Sequence, residues 1–203
     1  MKASQSIADR LKSLWIRFAF RRGLRYSNDY ERLNSAYFIG DPWNMASLGE
    51  QHRFAATNGL ILETFGQVGS LLEIGCGEGH QSVYLRQICN RLTGLDVSIR
   101  AIERARRRCP NCTFLVGDIY SQELGGHKPF DVVVASEVLY YMSDVPSALK
   151  RIRSLGRNGL VTYFAGEMAT LDPVVLPLPG VSSKVLQFKQ CSWRLAWWRD
   201  YQD

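Results

Sequence analysis

Long apolar runs are missing from this sequence of 203 residues: no stretch approaches the roughly 18 apolar residues that a membrane-spanning helix needs. Its start, MKASQSIADRLKSLWIRFAF, scatters charges where a secretory signal would hold an unbroken apolar core, so secretion is not expected. Cysteine is sparse and odd in number, with Cys76, Cys89, Cys109, Cys112 and Cys191, which reads as free thiols in a cytoplasmic protein. Cys109-Pro-Asn-Cys112 has the spacing of half a zinc site or a redox pair. A second ligand pair is lacking and His52, His80 and His127 stand alone, so the spacing reads as coincidence and no metal is expected. An excess of one charge is absent from most of the chain as well. The formal net charge is +6, but residues 1–32 hold eight Lys/Arg against three acids, and residues 33–203 hold 17 against 16. A near-neutral body gives no compositional reason to bind a polyanion. What is present, 46% hydrophobic and 22% charged residues, excludes disordered and fibrous classes and suits one globular domain.

The basic N-terminal segment sets Ile7, Leu11, Leu14, Trp15 and Phe18 at helical spacing opposite Arg10, Arg17 and Arg21. Such a helix either packs its aromatic stripe on the body or, through residues 1–25, makes a weak contact with a membrane surface or an acidic partner. From about residue 70, short apolar runs alternate with helical stretches. Strands are predicted at Leu71–Ile74, Arg91–Val97, Thr113–Gly117, Asp131–Ala135 and Leu160–Phe164. Helices are predicted at His80–Cys89, at Ile99–Arg108 with arginines crowding its outer face, and at Val145–Leu155 behind Pro146. Pro173, Pro177 and Pro179 oppose a long helix over Leu171–Gly180, while Ser183–Gln190 and Ser192–Trp198 read as a closing antiparallel pair. The expected fold is α/β: a Rossmann-like, doubly wound, mostly parallel sheet of about seven strands, with helices on both faces and an N-terminal helical cap. Residues 1–60 would form the cap or lid and residues 61–203 the core, shortened and proline-rich after strand five.

The most informative stretch is Glu73-Ile74-Gly75-Cys76-Gly77-Glu78-Gly79-His80, at the first strand-to-helix turn. Glycines there let backbone approach a ligand and open a helix N-terminus. A dinucleotide fingerprint counted from Gly75 would need its last glycine where His80 stands, and no phosphate-binding G-x-x-x-x-G-K-S/T occurs. The E-x-G-x-G-x-G spacing resembles motif I of class I S-adenosylmethionine (SAM) methyltransferases. Asp96, followed by Val97, ends the second predicted strand, where a carboxylate can accept from both ribose hydroxyls. Asp118, followed by Ile119, ends the third, where the resemblance implies a contact with the adenine amino group. Taken singly, either acid could be a helix cap; three such features at consecutive strand ends point to a cofactor.

The stretch Phe130–Asp144, FDVVVASEVLYYMSD, together with Asp41-Pro42-Trp43 and Glu50–Ala56, resembles the nodulation protein S (NodS) family of small SAM-dependent methyltransferases. The resemblance covers roughly residues 37 to 165 and implies an amino-sugar acceptor for the family's namesake. The chain departs from the pattern after strand five, where the acceptor pocket is usually completed. The resemblance implies that Glu73, Gly75, Cys76, Gly77, Gly79, Asp96, Val97, Asp118, Ile119 and Glu137 bind SAM. In the lid, Trp43 would cover the cofactor with its ring face, beside Tyr37, and Arg53 would pair with its methionine carboxylate. Each has a plainer reading, as a packing ring or a surface ion pair.

Transfer from a sulfonium needs alignment and a dry site, plus a base if the acceptor arrives protonated. Glu137, after the fourth predicted strand, is the first candidate for that base, with Tyr140 and Tyr141 lining the acceptor pocket. His80 borders the glycine turn, and His52 reads as a surface helix residue. The expected activity is methyl transfer to an amine or hydroxyl of a small, sugar-like or secondary metabolite. A nucleic-acid methyltransferase using the basic N-terminus is the alternative, opposed by Ser136-Glu137-Val138-Leu139 where base-methylating enzymes carry an Asn/Asp-Pro-Pro-Tyr motif. A non-catalytic SAM-binding protein is another.

Overall fold

The computed structural model describes residues 23–124 and 129–199, and seven strands cross them. They are β1 (Val68–Ile74), β2 (Cys89–Asp96), β3 (Thr113–Val116), β4 (Phe130–Ser136), β5 (Gly156–Phe164), β6 (Val181–Phe188) and β7 (Cys191–Trp198). Seven strands make one sheet in the order β3-β2-β1-β4-β5-β7-β6. The first five run parallel, and β7 lies antiparallel to both β5 and β6. Where parallel strands carry helices on both faces their side chains are buried on both sides, and the central strand β4 accordingly reads as an almost unbroken apolar run.

The strand pleat sorts the core into two layers. Leu72, Ile74, Val133, Ala135, Val161 and Tyr163 face one side, where α5 (Val145–Leu155) and α6 (Met168–Val175) pack. Leu71, Val132, Val134, Leu160 and Leu195 face the other, against Leu60 and Ile61 of α2 (Leu48–Phe65). Ahead of α2 stands the short α1 (Tyr30–Ala36), capped by Asp29, and α2 itself is capped by Ser47. Because α2 runs unbroken through residue 60, one helix joins the expected cap to the expected core. Residues 1–22, and with them the amphipathic N-terminal helix, lie outside the described residues.

Two sequence expectations change. The helix predicted over His80–Cys89 is a single turn, α3 (Ser82–Leu85). The glycine loop delays its start, and Cys89 is already paired with Val68 in the sheet, which claims the last residues for β2. The prolines do oppose a long helix, yet α6 forms for eight residues with Pro173 inside it and ends ahead of Pro177. The remaining helix, α4 (Ile99–Arg108), starts on the Ser98 hydroxyl, which accepts from the Ala101 amide at 3.2 Å. Among the described residues no helix is long and apolar enough to cross a membrane.

Candidate functional site

The strand order reverses between β1 and β4, and the crevice at the carboxyl ends of such strands is where open α/β sheets hold ligands. A cavity of about 330 Å³ opens there, lined by the glycine loop, the ends of β2 to β4 and the segment between α1 and α2.

One wall is built largely from backbone. The Gly75 and Cys76 amides donate to the Leu95 carbonyl at 2.8 and 3.0 Å, which folds the glycine loop back onto β2. The Gly77 amide then reaches Asp96 Oδ2 at 2.8 Å, and the Ser98 amide reaches Oδ1 at 2.9 Å. Burial pushes the Asp96 carboxyl up to about 6 despite those two donors. Gly77 has φ +52°, and a Cβ there would lie 2.9 Å from the Tyr37 hydroxyl, so only glycine lets loop and lid approach this closely. Gly79 turns away from the cavity: its absent Cβ makes room for Ala105 of α4, at 3.1 Å. Glu73 lies under the loop and accepts from the Ser82 hydroxyl; burial raises its carboxyl to about 8. Asp118 accepts from the Tyr120 amide at 2.9 Å and the Ser121 hydroxyl at 3.3 Å. Val97 and Ile119 add apolar surface between these acids.

The opposite wall is aromatic and acidic. Trp43 donates from Nε1 to the Tyr37 hydroxyl at 3.1 Å, and its ring centroid lies 5.7 Å from that of Tyr141. Tyr140 meets Phe164 edge-on, with centroids 5.5 Å apart. Glu137 stands at the end of β4 with φ +57°, a strained value for a residue with a Cβ. The surroundings that hold it are specific. Its carboxylate accepts from the Thr162 hydroxyl at 2.8 Å, the Phe164 amide at 3.0 Å and the Tyr140 hydroxyl at 3.3 Å. Burial raises the Glu137 carboxyl, and the positive charge of Arg53 counters it. Three donors leave such a carboxylate, itself part of the cavity lining, room for one more.

Arg53 is 1% exposed and already engaged. Its guanidinium pairs with Glu50 at 2.7 Å and donates to Gln81 at 3.1 Å and Thr162 at 3.3 Å. The carboxylate it meets is therefore one of the chain's own, and only one N–H, on Nη2, is left uncommitted. His80 borders the cavity, whereas His52 is exposed on α2 and stacks on Phe188, 4.5 Å between centroids. Cys109 and Cys112 bring their sulfurs to 2.9 Å, and no group of three or more His, Cys, Asp or Glu able to hold a metal occurs among the described residues.

Sequence reasoning passed over Glu78 and Arg104. Glu78 is 5% exposed, in the middle of the glycine loop, and takes hydrogen bonds from the Asp41 amide at 2.9 Å and from Arg104. Burial works against its charge, but His80, the Asp41 amide and Arg104 outweigh it and hold the carboxyl at about 2. The available signal was the four-residue spacing of Arg104 and Arg108, which places both on one helix face. The arginines expected on the outer face of α4 are thus partly turned inward, toward the loop.

Comparison with known proteins adds to this geometry. A sequence profile for nodulation protein S (NodS) matches residues 27–164. Nodulation protein S of Rhizobium tropici is 31% identical over 138 residues, 66% of this chain and 57% of that protein. Its counterpart in Sinorhizobium fredii is 33% identical over 132 residues, 63% of this chain and 60% of that one. The match thus spans about three fifths of the length of these curated relatives. Among solved structures, the N-methyltransferase NodS from Bradyrhizobium japonicum in complex with S-adenosyl-L-homocysteine superposes with a TM-score of 0.69. It is 26% identical, and the superposition covers 87% of this chain and all of the other.

Proposed function

Since this chain belongs to the NodS family, we propose that it is a SAM-dependent methyltransferase acting on an amine or hydroxyl of a small molecule. The observation that carries the reading is the meeting, in one cavity, of the glycine loop, Asp96 and Asp118 with Glu137 and its aromatic surround.

The residues fit the cofactor. The Gly77 amide holds the Asp96 carboxylate at the cavity, and a side chain at position 77 would press on the Tyr37 hydroxyl across it. Asp96, with each oxygen already holding one amide, keeps a lone pair on each for a ribose hydroxyl. Gly75, Cys76 and Gly77 would hold the methionine portion and Asp118 the adenine edge, with Val97 and Ile119 against its faces. Glu73 and Gly79 support the loop from behind, through Ser82 and Ala105. Trp43 would close the cavity from the lid, and Arg53 would act from below by holding Glu50 and Thr162 in place. In this reading the cap, residues 1–60, is the lid of the core that follows.

SAM supplies an electrophilic methyl group on a sulfonium when bound. The chain's own part is to align the acceptor, exclude water and handle its proton. The remaining acceptor position on Glu137 suits an N–H or O–H of the incoming molecule, and its raised affinity for protons favours accepting one. Tyr140, bonded to the same carboxylate, orients it and lines the pocket.

The test is thermal stability with S-adenosylhomocysteine and, separately, NADH. A ligand at a hundred times its Kd adds about 2.7 kcal/mol, or roughly 5–10 °C for a domain of this size. The shift is expected with S-adenosylhomocysteine alone; a shift only with NADH would overturn the reading.

A further inference from the structure

The lid segment between α1 and α2 is held both by its own side chains and by residues far off in sequence. Asp41 and Asn44, neither of them glycine, adopt φ of +48° and +58°, and this short stretch carries Trp43 into the cavity. Strained residues persist where their surroundings over-determine them. Part of the support is local: the Asp41 carboxylate accepts from the Met45 and Ala46 amides. The rest comes from two residues far off in sequence. The Asp41 amide donates to Glu78 Oε1 at 2.9 Å. Arg104 donates to that same oxygen, to the Ile39 carbonyl at 2.9 Å and to the Tyr37 carbonyl at 2.8 Å. Arg108 donates to the Glu78 carbonyl, which fixes the backbone of the loop itself.

We propose that Glu78 and Arg104 form a latch that couples the glycine loop to the lid, so that they are positioning residues for cofactor retention. The proposal rests on the SAM-binding reading given above. Glu78 lies between Gly77, whose amide faces Asp96, and Gly79, which packs on α4. A shift of the loop by a bound ligand moves the Glu78 carboxylate directly, and with it the Asp41 amide. Arg104 converts the same movement into a pull on the carbonyls of Tyr37 and Ile39. The bonds are charge-assisted and converge on a carboxylate that is itself almost fully covered, where such contacts are stronger than at an open surface. Neither side chain is needed for the proton or the methyl group. Their effect falls on how long the lid stays closed.

The test uses S-adenosylhomocysteine as probe, with Kd by calorimetry and the dissociation rate by stopped-flow tryptophan fluorescence. A Trp43→Phe background identifies the lid's signal. Glu78→Gln keeps the shape of the side chain and loses its charge. Arg104→Lys, on a partly exposed side chain, keeps a charge near Glu78 and loses the fork that reaches the two carbonyls. Each is expected to raise the dissociation rate about tenfold with a smaller change in association rate, and the double variant should be little worse than either single. That non-additivity is what a shared latch produces and two independent structural defects do not. If Glu78→Gln fails to fold, Arg104→Lys and its comparison with Arg104→Met carry the test. A dissociation rate within twofold of wild type in Arg104→Lys, or fully additive effects, would overturn the latch. If the wild type does not bind S-adenosylhomocysteine, the cofactor reading fails instead.

Discussion

The two walls of the cavity are built by different means. On the side of the glycine loop, the contacts run from backbone amides to the acids that end neighbouring strands: Gly77 and Ser98 to Asp96, Tyr120 to Asp118. On the side of Glu137, side chains meet across long stretches of chain. Tyr26 donates to Glu167, Asn28 pairs with Ser143, Arg53 reaches Thr162 and Thr162 reaches Glu137. The first wall inherits its precision from the parallel ladder, because strands held in register place their ends in register too. The second is assembled from at least four segments, and these four contacts depend on side chains that mutation can replace singly. A common cofactor and a variable acceptor would be served by that division.

If the division holds, the walls separate chemistry from binding. The largest effect is expected at Glu137→Gln. Removing a positioned base typically costs a factor on the order of 10²–10⁴ in turnover. Binding of S-adenosylhomocysteine should stay within about twofold, because the cofactor wall is untouched. A panel of amines and alcohols assayed for methyl transfer, alongside calorimetry, reads both quantities. Full turnover in the variant would remove Glu137 from the chemistry and leave it as a tie between β4 and β5.

Next in size is the pH dependence carried by Asp96. Its folded carboxyl titrates at about 6, above the usual carboxylate range, because burial penalises its charge. Under the proposed cofactor role the ionised form would accept two ribose hydroxyls, so affinity for S-adenosylhomocysteine should be full above that pH. It should fall as pH drops through it, approaching tenfold per unit. Asp96→Asn should bind about 100-fold more weakly at pH 7.5 and lose this slope. A slope unchanged in the variant would assign the titration to another group and break the claim that this wall works through Asp96.

The same division explains what could be read in the sequence. Asp131–Ala135 announced β4 because a strand covered on both faces must be apolar throughout. The glycine loop, Asp96 and Asp118 were legible because they sit at fixed places relative to strand ends. The single turn of α3 was not, since the register that pairs Cys89 with Val68 is decided by the sheet and not by local propensity. Arg53 shows the other limit. An arginine near a cofactor pocket invites a ligand carboxylate, but Glu50, three residues earlier, takes the guanidinium, and Thr162 completes the shell from β5. Glu78 and Arg104 stayed hidden for a related reason: the lid that they support reveals its need for support only through backbone angles.

The smallest effect is expected where the segment ahead of α1 is tied to the loop after β4. Asn28 and Ser143 exchange hydrogen bonds of 2.7 and 2.9 Å, which fasten the strap around residue 28 to the loop after β4. The Tyr26 and Asn28 amides add bonds of 2.9 and 3.1 Å to the carbonyls of Tyr140 and Tyr141. Asn28 also has φ +53°, a conformation that asparagine tolerates better than alanine. Asn28→Ala should therefore lose about 1–2 kcal/mol, or roughly 2–8 °C in melting temperature. Its affinity for S-adenosylhomocysteine should remain within about twofold, whereas turnover should respond through Tyr140 and Tyr141. A tenfold loss of cofactor affinity would mean that the walls share one frame, with the strap bracing both, and the independence inferred from their construction would be false.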